Sequence, residues 1–425
     1  MKKIGILTLG CRVNQYESDA VREALENRGY RVVGAEKDCV LYIINTCTVT
    51  AESDAKCRKA IRRVARLRDE AHSALVVMGC FSQGDPDSEV LSLADYVIGT
   101  RDKMSVVEKL DDIIAKKEHG GVVSLAGAPF EKMNITRCAH AKAYVKIEDG
   151  CNNFCTYCFV PYVRGRVRSR DESDILSEIK SLSENSYREI ILTGIETASF
   201  GEDRGESDAL CALVEKIEKE TDITRVRFGS MYPTFFTKER AERLAKSKIV
   251  MPHFHLSVQS GADAVLEKMG RKYNEKELFE AVENIREAFP DATLSCDIIC
   301  GFPGESEEDF KKSLYFIEKA EILHAHIFPY SKRRLTRAAD FDSQVKEEIK
   351  KERTSVMQSV AGGVSLAVRG KYIGKRVRVL VEKIVSSRAF GYTENFIYTS
   401  FPMECKVGDI VEIELKKEYV QDIQI

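Results

Sequence analysis

The sequence predicts an α/β protein of three units: an N-terminal open parallel α/β sheet domain, a central partial TIM-like (β/α)6 barrel and a C-terminal small antiparallel β-barrel. Three observations lead there. At 425 residues the chain is too long for one hydrophobic core, given roughly 100–200 residues per domain. As far as Ser331, short β-branched runs alternate with longer charged amphipathic stretches, the pattern of βα units around parallel strands. From Arg376 onward that alternation gives way to RVRVLVEKIV, AFGYTENFIYTSF and DIVEIELKKEYV, short β-rich runs parted by glycine.

In the first unit, strands are expected at Lys3–Leu9, Val40–Asn45, Ala74–Met78 and Tyr96–Ile98, and helices at Tyr16–Asn27, Ser53–Arg68 and Met104–Lys116. The segment Lys116–Met133, with His-Gly-Gly and Ala-Gly-Ala-Pro, breaks the periodicity and reads as a linker. Six more strands follow, at Ala143–Ile147, Glu189–Leu192, Arg225–Phe228, Phe254–Ser257, Leu294–Ile299 and Ala325–Phe328, with helices between them. Such a set closes partly or fully into a barrel whose site lies at the carboxyl ends of the strands. Gln344–Val368 is helical in composition. The expected divisions are 1–118, a linker at 119–137, 138–366 and 367–425.

Lys+Arg 65 against Asp+Glu 67 leaves a net charge of −2, so any surface for nucleic acid must be local. Hydrophobic residues at 44% and charged residues at 31% fit a globular chain, and no apolar run reaches ~18 residues, so no membrane partner is expected. The opening MKKIGILTLG runs straight into GCRVNQYES, without the apolar region and small-residue cleavage site of a secretion signal. A first β-strand and a cytoplasmic location are the expectation. Thirteen cysteines are many for a reducing compartment, where clustered thiols more often bind metal than form disulfides.

Six of them fall into two sets. Cys151, Cys155 and Cys158 form a C-x3-C-x2-C just beyond a strand. Three thiolates on one tight loop can each hold one iron of a cubane and leave the fourth iron open; a zinc loop or incidental thiols is the plainer alternative. Cys11, Cys47 and Cys80 lie about one βα unit apart, each just past a predicted strand. The carboxyl ends of neighbouring parallel strands converge on one crevice, so these three could hold a second cluster; ordinary buried cysteines are the alternative. Cys39, Cys57, Cys138, Cys211 and Cys405 stand alone, and Cys296 and Cys300 share a barrel strand, all seven expected to be core or surface residues.

Several segments then carry a resemblance over almost the whole chain: Gly10-Cys11-Arg12-Val13-Asn14, Asn45-Thr46-Cys47-Thr48-Val49, Gly79-Cys80, DGCNNFCTYCFVPYVRGRVRSR, LSVQSGADAVLEKMGRKY, DIICGFPGESEEDF and HIFPYSKR. In this order they resemble the methylthiotransferases of the radical S-adenosylmethionine superfamily. The resemblance implies an N-terminal methylthiotransferase domain, a radical S-adenosylmethionine barrel and a C-terminal RNA-binding TRAM barrel. GCRVNQYES and NTCTVT are most similar to the branch that methylthiolates threonylcarbamoyladenosine in tRNA next to the anticodon. The isopentenyladenosine branch usually has Gln-Met-Asn after the first cysteine, and the ribosomal-protein branch Lys-Asn.

That family replaces the C2–H of adenine by C–S–CH3, and the cofactors implied are two [4Fe-4S] clusters and S-adenosylmethionine. By resemblance, Cys151, Cys155 and Cys158 bind the cluster that cleaves S-adenosylmethionine to a 5′-deoxyadenosyl radical, and the cluster on Cys11, Cys47 and Cys80 carries the sulfur. For the cofactor itself the candidates are Gly194 and Glu196, in place of a Gly-Gly-Glu-like segment, Gln259 with Ser260, and Arg271, whose guanidinium fork suits a carboxylate. Gln259 and Ser260 could bind ribose or position the substrate; for the others a purely structural role is the alternative, a turn for Gly194 and Glu196 and a surface ion pair for Arg271. The same holds for Gly301–Glu305, the turn after the fifth barrel strand, and for His253 and His255, which share one side of a strand. Two stretches depart from the family pattern: Thr193–Gly201, and Leu335, which stands where glycine is usual.

Between Lys332 and Arg378 thirteen basic residues face five acidic ones, and Arg164, Arg166, Arg168 and Arg170 alternate directly after the C-x3-C-x2-C loop. Both stretches are candidates for the phosphate backbone, with a solvated helix face as the plainer reading of the helical part. Phe390, Tyr392, Phe396, Tyr398 and Phe401 offer stacking faces for anticodon-loop bases, about half of them expected in the small core. The partners expected are the tRNA anticodon stem-loop, a flavodoxin- or ferredoxin-type electron donor and a sulfur donor. The competing functions are the same chemistry on isopentenyladenosine or a ribosomal protein, and a non-catalytic iron–sulfur RNA sensor.

Overall fold

The computed structural model describes residues 1–116 and 129–422. Most of the segment read as a linker, residues 117–128, and the last three residues lie outside it. Sheet one is formed by β1 (Lys3–Thr8), β2 (Arg31–Val33), β3 (Leu41–Thr46), β4 (Ala74–Gly79) and β5 (Tyr96–Val97), all parallel, in the order β2-β1-β3-β4-β5. Every residue of β3 and β4 is buried, as central strands covered on both faces must be. Helix α1 (Arg12–Asn27) covers one face and α2 (Ala51–Ala71) the other. The side chain of Thr50 caps α2 by accepting from Ser53 N at 3.1 Å, a contact worth about 1 kcal/mol. In this strand order the chain reverses direction between β1 and β3, where the crevice of an open α/β sheet lies. The expected elements are present except that 104–116 breaks into two short helices, Ser105–Glu108 and Leu110–Ile114. The three-residue β2, too short for a periodic signal, is additional.

The central unit is a six-strand partial barrel. Strands β6 (Ala143–Lys146), β9 (Glu189–Thr193) and β10 (Arg225–Phe228) form one parallel sheet, with a short antiparallel pair, β7 (Glu148–Asp149) and β8 (Arg168–Ser169), at its carboxyl end. After Gly229 the third strand continues as β11 (Ser230–Met231), which pairs with β12 (His253–Gln259), then β13 (Thr293–Cys300) and β14 (Ile322–Pro329). One strand thus joins two sheets. Alternate residues such as Val145, Leu192, Val226, Phe254, Leu256, Cys296 and Ile298 enter the core under the outer helices. Lys146, Glu189, Arg225, Arg227, His253, His255, Ser257 and Asp297 take the opposite face, so the lumen is polar. Tyr16 and Ala20 of α1, with Met133 and Ile135, extend the barrel core into the first unit.

The C-terminal unit follows a long helix, Glu347–Gly370, as an antiparallel sheet in the order β17-β16-β15-β18: β15 (Arg376–Val385), β16 (Arg388–Thr393), β17 (Tyr398–Pro402) and β18 (Ile410–Glu414). A bridge between Thr399 and Val420 brings the chain end alongside β17. The 393–397 turn enters the amino end of the barrel. Arg227 donates to the carbonyls of Thr393 at 2.7 Å and Glu394 at 2.9 Å, Thr293 Oγ1 donates to Asn395 O at 2.5 Å, and His253 stacks on Phe396 at 4.4 Å.

Candidate active site

Thr8, Asn45 and Met78 occupy one row across β1, β3 and β4, and Cys11, Cys47 and Cys80 follow that row by two or three residues each. Gly10 has φ +113°, and a Cβ there would stand 2.7 Å from Cys47 Cβ and 3.1 Å from its Sγ, so the Cys11 turn and Cys47 are in close approach. Asn14 ties the two together, donating to Leu9 O at 2.9 Å and Thr46 O at 2.8 Å. Cys57, expected to be incidental, lies under Cys47: it accepts from Cys47 N at 3.4 Å and donates to Cys47 O at 3.2 Å. Burial, then the neighbouring Cys80, pushes the Cys47 thiol up to about 12, and burial also raises Cys80.

The loop of the second set leaves β7 through Gly150, with φ +91°, whose missing Cβ makes room for Arg166 O. Cys151 N donates to Gly165 O at 3.1 Å, and Thr156 is pinned by Met269 O at 2.9 Å and Lys268 O at 2.8 Å. Arg271 Nη1 donates to Cys155 Sγ at 3.3 Å. Burial, then the neighbouring Cys155, pushes Cys158 up to about 12, and burial raises Cys151. Among the described residues, the one trio with ligand atoms within 4.8 Å of one another is His255, Asp297 and His326. Both cysteine trios are therefore too open for a single ion. Three soft thiol donors spread over a wider span suit a multi-iron cluster, whose irons would bring the positive charge that thiolates at the buried Cys47, Cys80 and Cys155 need.

Buried charges link the two sets. Arg164 donates through Nε to Cys80 Sγ at 3.3 Å, through Nη1 to Glu17 at 2.9 Å and Asp149 at 3.1 Å, and through Nη2 to Asn14 at 2.8 Å. Lys146 bridges Glu17 and Asp149 at 2.8 Å each, and Lys103 also pairs with Glu17. These cations hold the Glu17 carboxyl well below its usual range despite its burial. The run of alternating arginines is thus not an RNA-facing strip. Arg164 and Arg170 are buried, Arg170 on Glu178 and Asn134, while Arg168 braces Asp149 and Arg166 alone is fully exposed, over the Phe154 ring. Alternation in a loop carries no information about which side faces the interior.

Around the Cys151–Cys158 loop stand the four candidate cofactor residues. Gly194 packs on Glu148, whose Oε2 accepts from Glu196 N at 2.9 Å. Glu148 Oε1 is buried without a partner among the described residues, and burial raises its carboxyl well above the usual range. Glu196 accepts from Tyr232 N at 2.8 Å, and burial lifts it to about 7 against the pull of Arg271. Arg271 is half-buried between the rings of Tyr232 and Tyr273, with Ser257 O and Tyr273 OH as further acceptors, and among the described residues no carboxylate pairs with it, so it makes no surface ion pair. Gln259 ends β12 at φ +72°, a left-handed conformation that costs a non-glycine residue of order 1 kcal/mol, and its side-chain amide makes no hydrogen bond among the described residues. Ser260 points instead to Ser313, and Glu305 is held by Arg353 at 2.6 Å. Glu148, Glu17 and Asp149 escaped the sequence reading; an acid pair directly before Gly150-Cys151 was the available signal.

In the lumen both rings of the His-Phe-His segment are hydrogen-bonded. His253 Nδ1 meets Thr293 Oγ1 and His255 Nδ1 meets Ser295 Oγ, each at 2.8 Å, and His255 Nε2 lies 3.1 Å from Asp297. Toward the C-terminal unit, Phe396, Tyr392, Tyr398 and Phe390 form a half-buried ladder with steps of 4.4, 4.9 and 6.4 Å, while Phe401 is core. Of the basic junction, Arg333, Lys350 and Arg353 are buried in polar contacts. Lys332, Arg337, Lys346 and Lys351 are exposed and free of ion pairs among the described residues.

Residues 145–317 match the model of the Radical SAM superfamily, and residues 3–99 match Uncharacterized protein family UPF0004. The chain is 36% identical over 419 residues to "Threonylcarbamoyladenosine tRNA methylthiotransferase MtaB" of Thermotoga maritima, covering 98% of this chain and 95% of that protein. It is 34% identical to "tRNA-2-methylthio-N(6)-dimethylallyladenosine synthase" of Pelotomaculum thermopropionicum, over 90% of this chain and 87% of that one. Among solved structures, the radical S-adenosylmethionine methyltransferase TsrM of Kitasatospora setae is similar in fold, with TM-score 0.56 at 17% identity over 80% of this chain and 75% of that one.

Proposed function

The chain belongs to the radical S-adenosylmethionine methylthiotransferases, and from that premise we propose that it converts N6-threonylcarbamoyladenosine, next to the anticodon of tRNA, to its 2-methylthio derivative. Near-full-length similarity to proteins named for that reaction carries the reading. The C2 hydrogen of adenine is not acidic, so acid–base residues alone cannot exchange it for sulfur. Two [4Fe-4S] clusters and S-adenosylmethionine, when bound, supply the radical and the methylthio group.

The protein's own groups bind, orient and shield. Cys151, Cys155 and Cys158 hold one cluster, and Arg271 donates to Cys155 from a half-buried position that also favours an anionic cofactor carboxylate. Glu196, buried and easily ionised near neutral pH, accepts from the cofactor ammonium, while Gly194 lets Glu148 pack against the backbone of this turn and Gln259 offers an amide that makes no hydrogen bond among the described residues. Cys11, Cys47 and Cys80 hold the second cluster, and the Glu17–Arg164–Asp149 network fixes one set against the other. The divisions 1–118, 138–366 and 367–425 serve as sulfur-carrying, radical and RNA-binding units. The TRAM unit and the free cations Lys332, Arg337, Lys346 and Lys351 meet the anticodon stem-loop, and a flavodoxin- or ferredoxin-type donor and a sulfur donor complete the cycle in the cytoplasm.

The test is mass spectrometry of tRNA nucleosides from a strain lacking the gene. Loss of 2-methylthio-threonylcarbamoyladenosine is expected; an unaltered level, with loss of the 2-methylthio dimethylallyl nucleoside instead, would reassign the substrate to the second kind of relative.

A further inference from the structure

Resting on that substrate reading, we propose that Arg12 is the specificity residue that binds the carboxylate of the threonylcarbamoyl group.

Arg12 directly follows Cys11 and opens α1. It is half-buried, yet among the described residues it makes no hydrogen bond and no ion pair. It lies within electrostatic reach of Asp297 and His326 on β13 and β14, of His253 on β12 and of Tyr392 on β16, which places it near the polar lumen.

The other cations of that wall are matched. Arg225 and Arg227 bind Glu189 and backbone carbonyls, Lys142 binds Glu382, and Lys146 binds Glu17 and Asp149. The nearby acid, Asp297, is paired with His255 at 3.1 Å. Arg12 is left with all five of its donors for a ligand. A cation in the first turn of a helix also opposes the helix dipole, and no acid stands in the first turn of α1 to compensate, so local stability does not account for it.

The substrate chemistry fits this place. In adenine, C2 and C6 flank N1 on one edge of the ring, so a base offering C2–H to the Cys11–Cys47–Cys80 set carries its N6 substituent along the same wall. Adjacent Cα atoms are about 3.8 Å apart, which keeps Arg12 beside that edge. A threonylcarbamoyl group ends in a carboxylate, the natural partner of a guanidinium fork, whereas a dimethylallyl group has no anion to offer.

The test uses reconstituted holoenzyme with S-adenosylmethionine, reductant and three stem-loop RNAs carrying threonylcarbamoyladenosine, its neutral methyl ester, or dimethylallyladenosine. Wild type is expected to favour the acid over the ester in kcat/KM by roughly 10- to 100-fold, the worth of a hydrogen bond to a charged group. Arg12→Gln, compared at equal iron content, brings the ratio near one, and Arg12→Lys keeps part of it. Equal wild-type turnover of acid and ester overturns the inference alone, as does an Arg12→Gln enzyme slowed equally on both, which would assign Arg12 to the neighbouring cluster. A wild type inert on acid and ester but active on the dimethylallyl RNA overturns the substrate reading and the inference together.

Discussion

Arg164 Nε lies 3.3 Å from Cys80 Sγ, although the two residues belong to different folding units. The same guanidinium holds Glu17 of α1 and Asp149, two residues before Cys151, so one buried side chain touches a thiol of one set and the approach to the other. The distance between the two cysteine sets is thereby fixed by side chains that have almost no freedom, which matters for the proposed reaction, in which a radical made at one would have to meet sulfur held at the other.

Replacing Arg164 by Met leaves two buried carboxylates short of a partner. A loss of about 3–5 kcal/mol is expected, read from urea unfolding. The contact with Cys80 goes too, so about four of roughly eight irons should become labile to a chelator. Arg164→Lys should recover part of the stability but not the iron retention, since a single ammonium cannot reach Cys80, Glu17 and Asp149 together.

Removing each thiol set should separate the two jobs. Cys151→Ala, Cys155→Ala and Cys158→Ala together should leave about four irons per chain and abolish 5′-deoxyadenosine formation. The triple change at Cys11, Cys47 and Cys80 should also leave about four irons but retain that product while losing methylthiolation. Iron assay and chromatography of the nucleoside products check both.

Glu196 sets a pH dependence. Its folded value, about 7, lies above the ordinary carboxylate range because burial penalises the anion. Between the ordinary value and 7 the native state holds more protons than the unfolded chain, so this residue favours the fold at low pH and costs stability as pH rises through 7. Glu196→Gln should therefore be more stable than wild type at pH 8 without cofactor, by about 3 kcal/mol, with the advantage fading toward pH 5. S-adenosylmethionine affinity should show the opposite trend: in wild type it rises as Glu196 ionises near pH 7, and in Glu196→Gln it is weaker and flat. Calorimetric titration across pH 6–8.5 separates the two.

Leu335 holds a backbone conformation that glycine adopts more easily. It has φ +65° with a side chain 63% exposed, so it holds a left-handed conformation without burying much apolar surface in return. Leu335→Gly relieves about 1–2 kcal/mol of strain and gives back part of it as extra freedom in the unfolded chain. A net gain of about 0.5 kcal/mol is expected, read as a higher urea midpoint with unchanged slope.

The convergence of Cys11, Cys47 and Cys80 was legible because strand-end position is a property of the local pattern: each follows a run of β-branched residues, and parallel pairing brings such ends to one row. The strands of the barrel were legible for the same reason. What sequence could not show is which charges turn inward. Glu17 sits in a helix full of acids and bases and reads as solvent-facing until the barrel packs over α1; Arg164 and Arg170 read as part of an exposed strip until Glu17, Asp149 and Glu178 are brought to them. Cys57 was indistinguishable from other lone cysteines, since its role lies in backbone contacts with Cys47. Each of these depends on pairing between residues far apart in the chain.

The 393–397 turn, which seats its carbonyls on Arg227 and Thr293 and its Phe396 on His253, limits how this protein can be rearranged. A C-terminal unit grafted from another protein would have to bring the same turn, or leave two buried donors and an aromatic face unmet at the floor of the barrel. The C-terminal unit is thus not an interchangeable attachment, and any exchange of it between relatives would have had to carry the barrel strands β10, β12 and β13 along or adapt them in step.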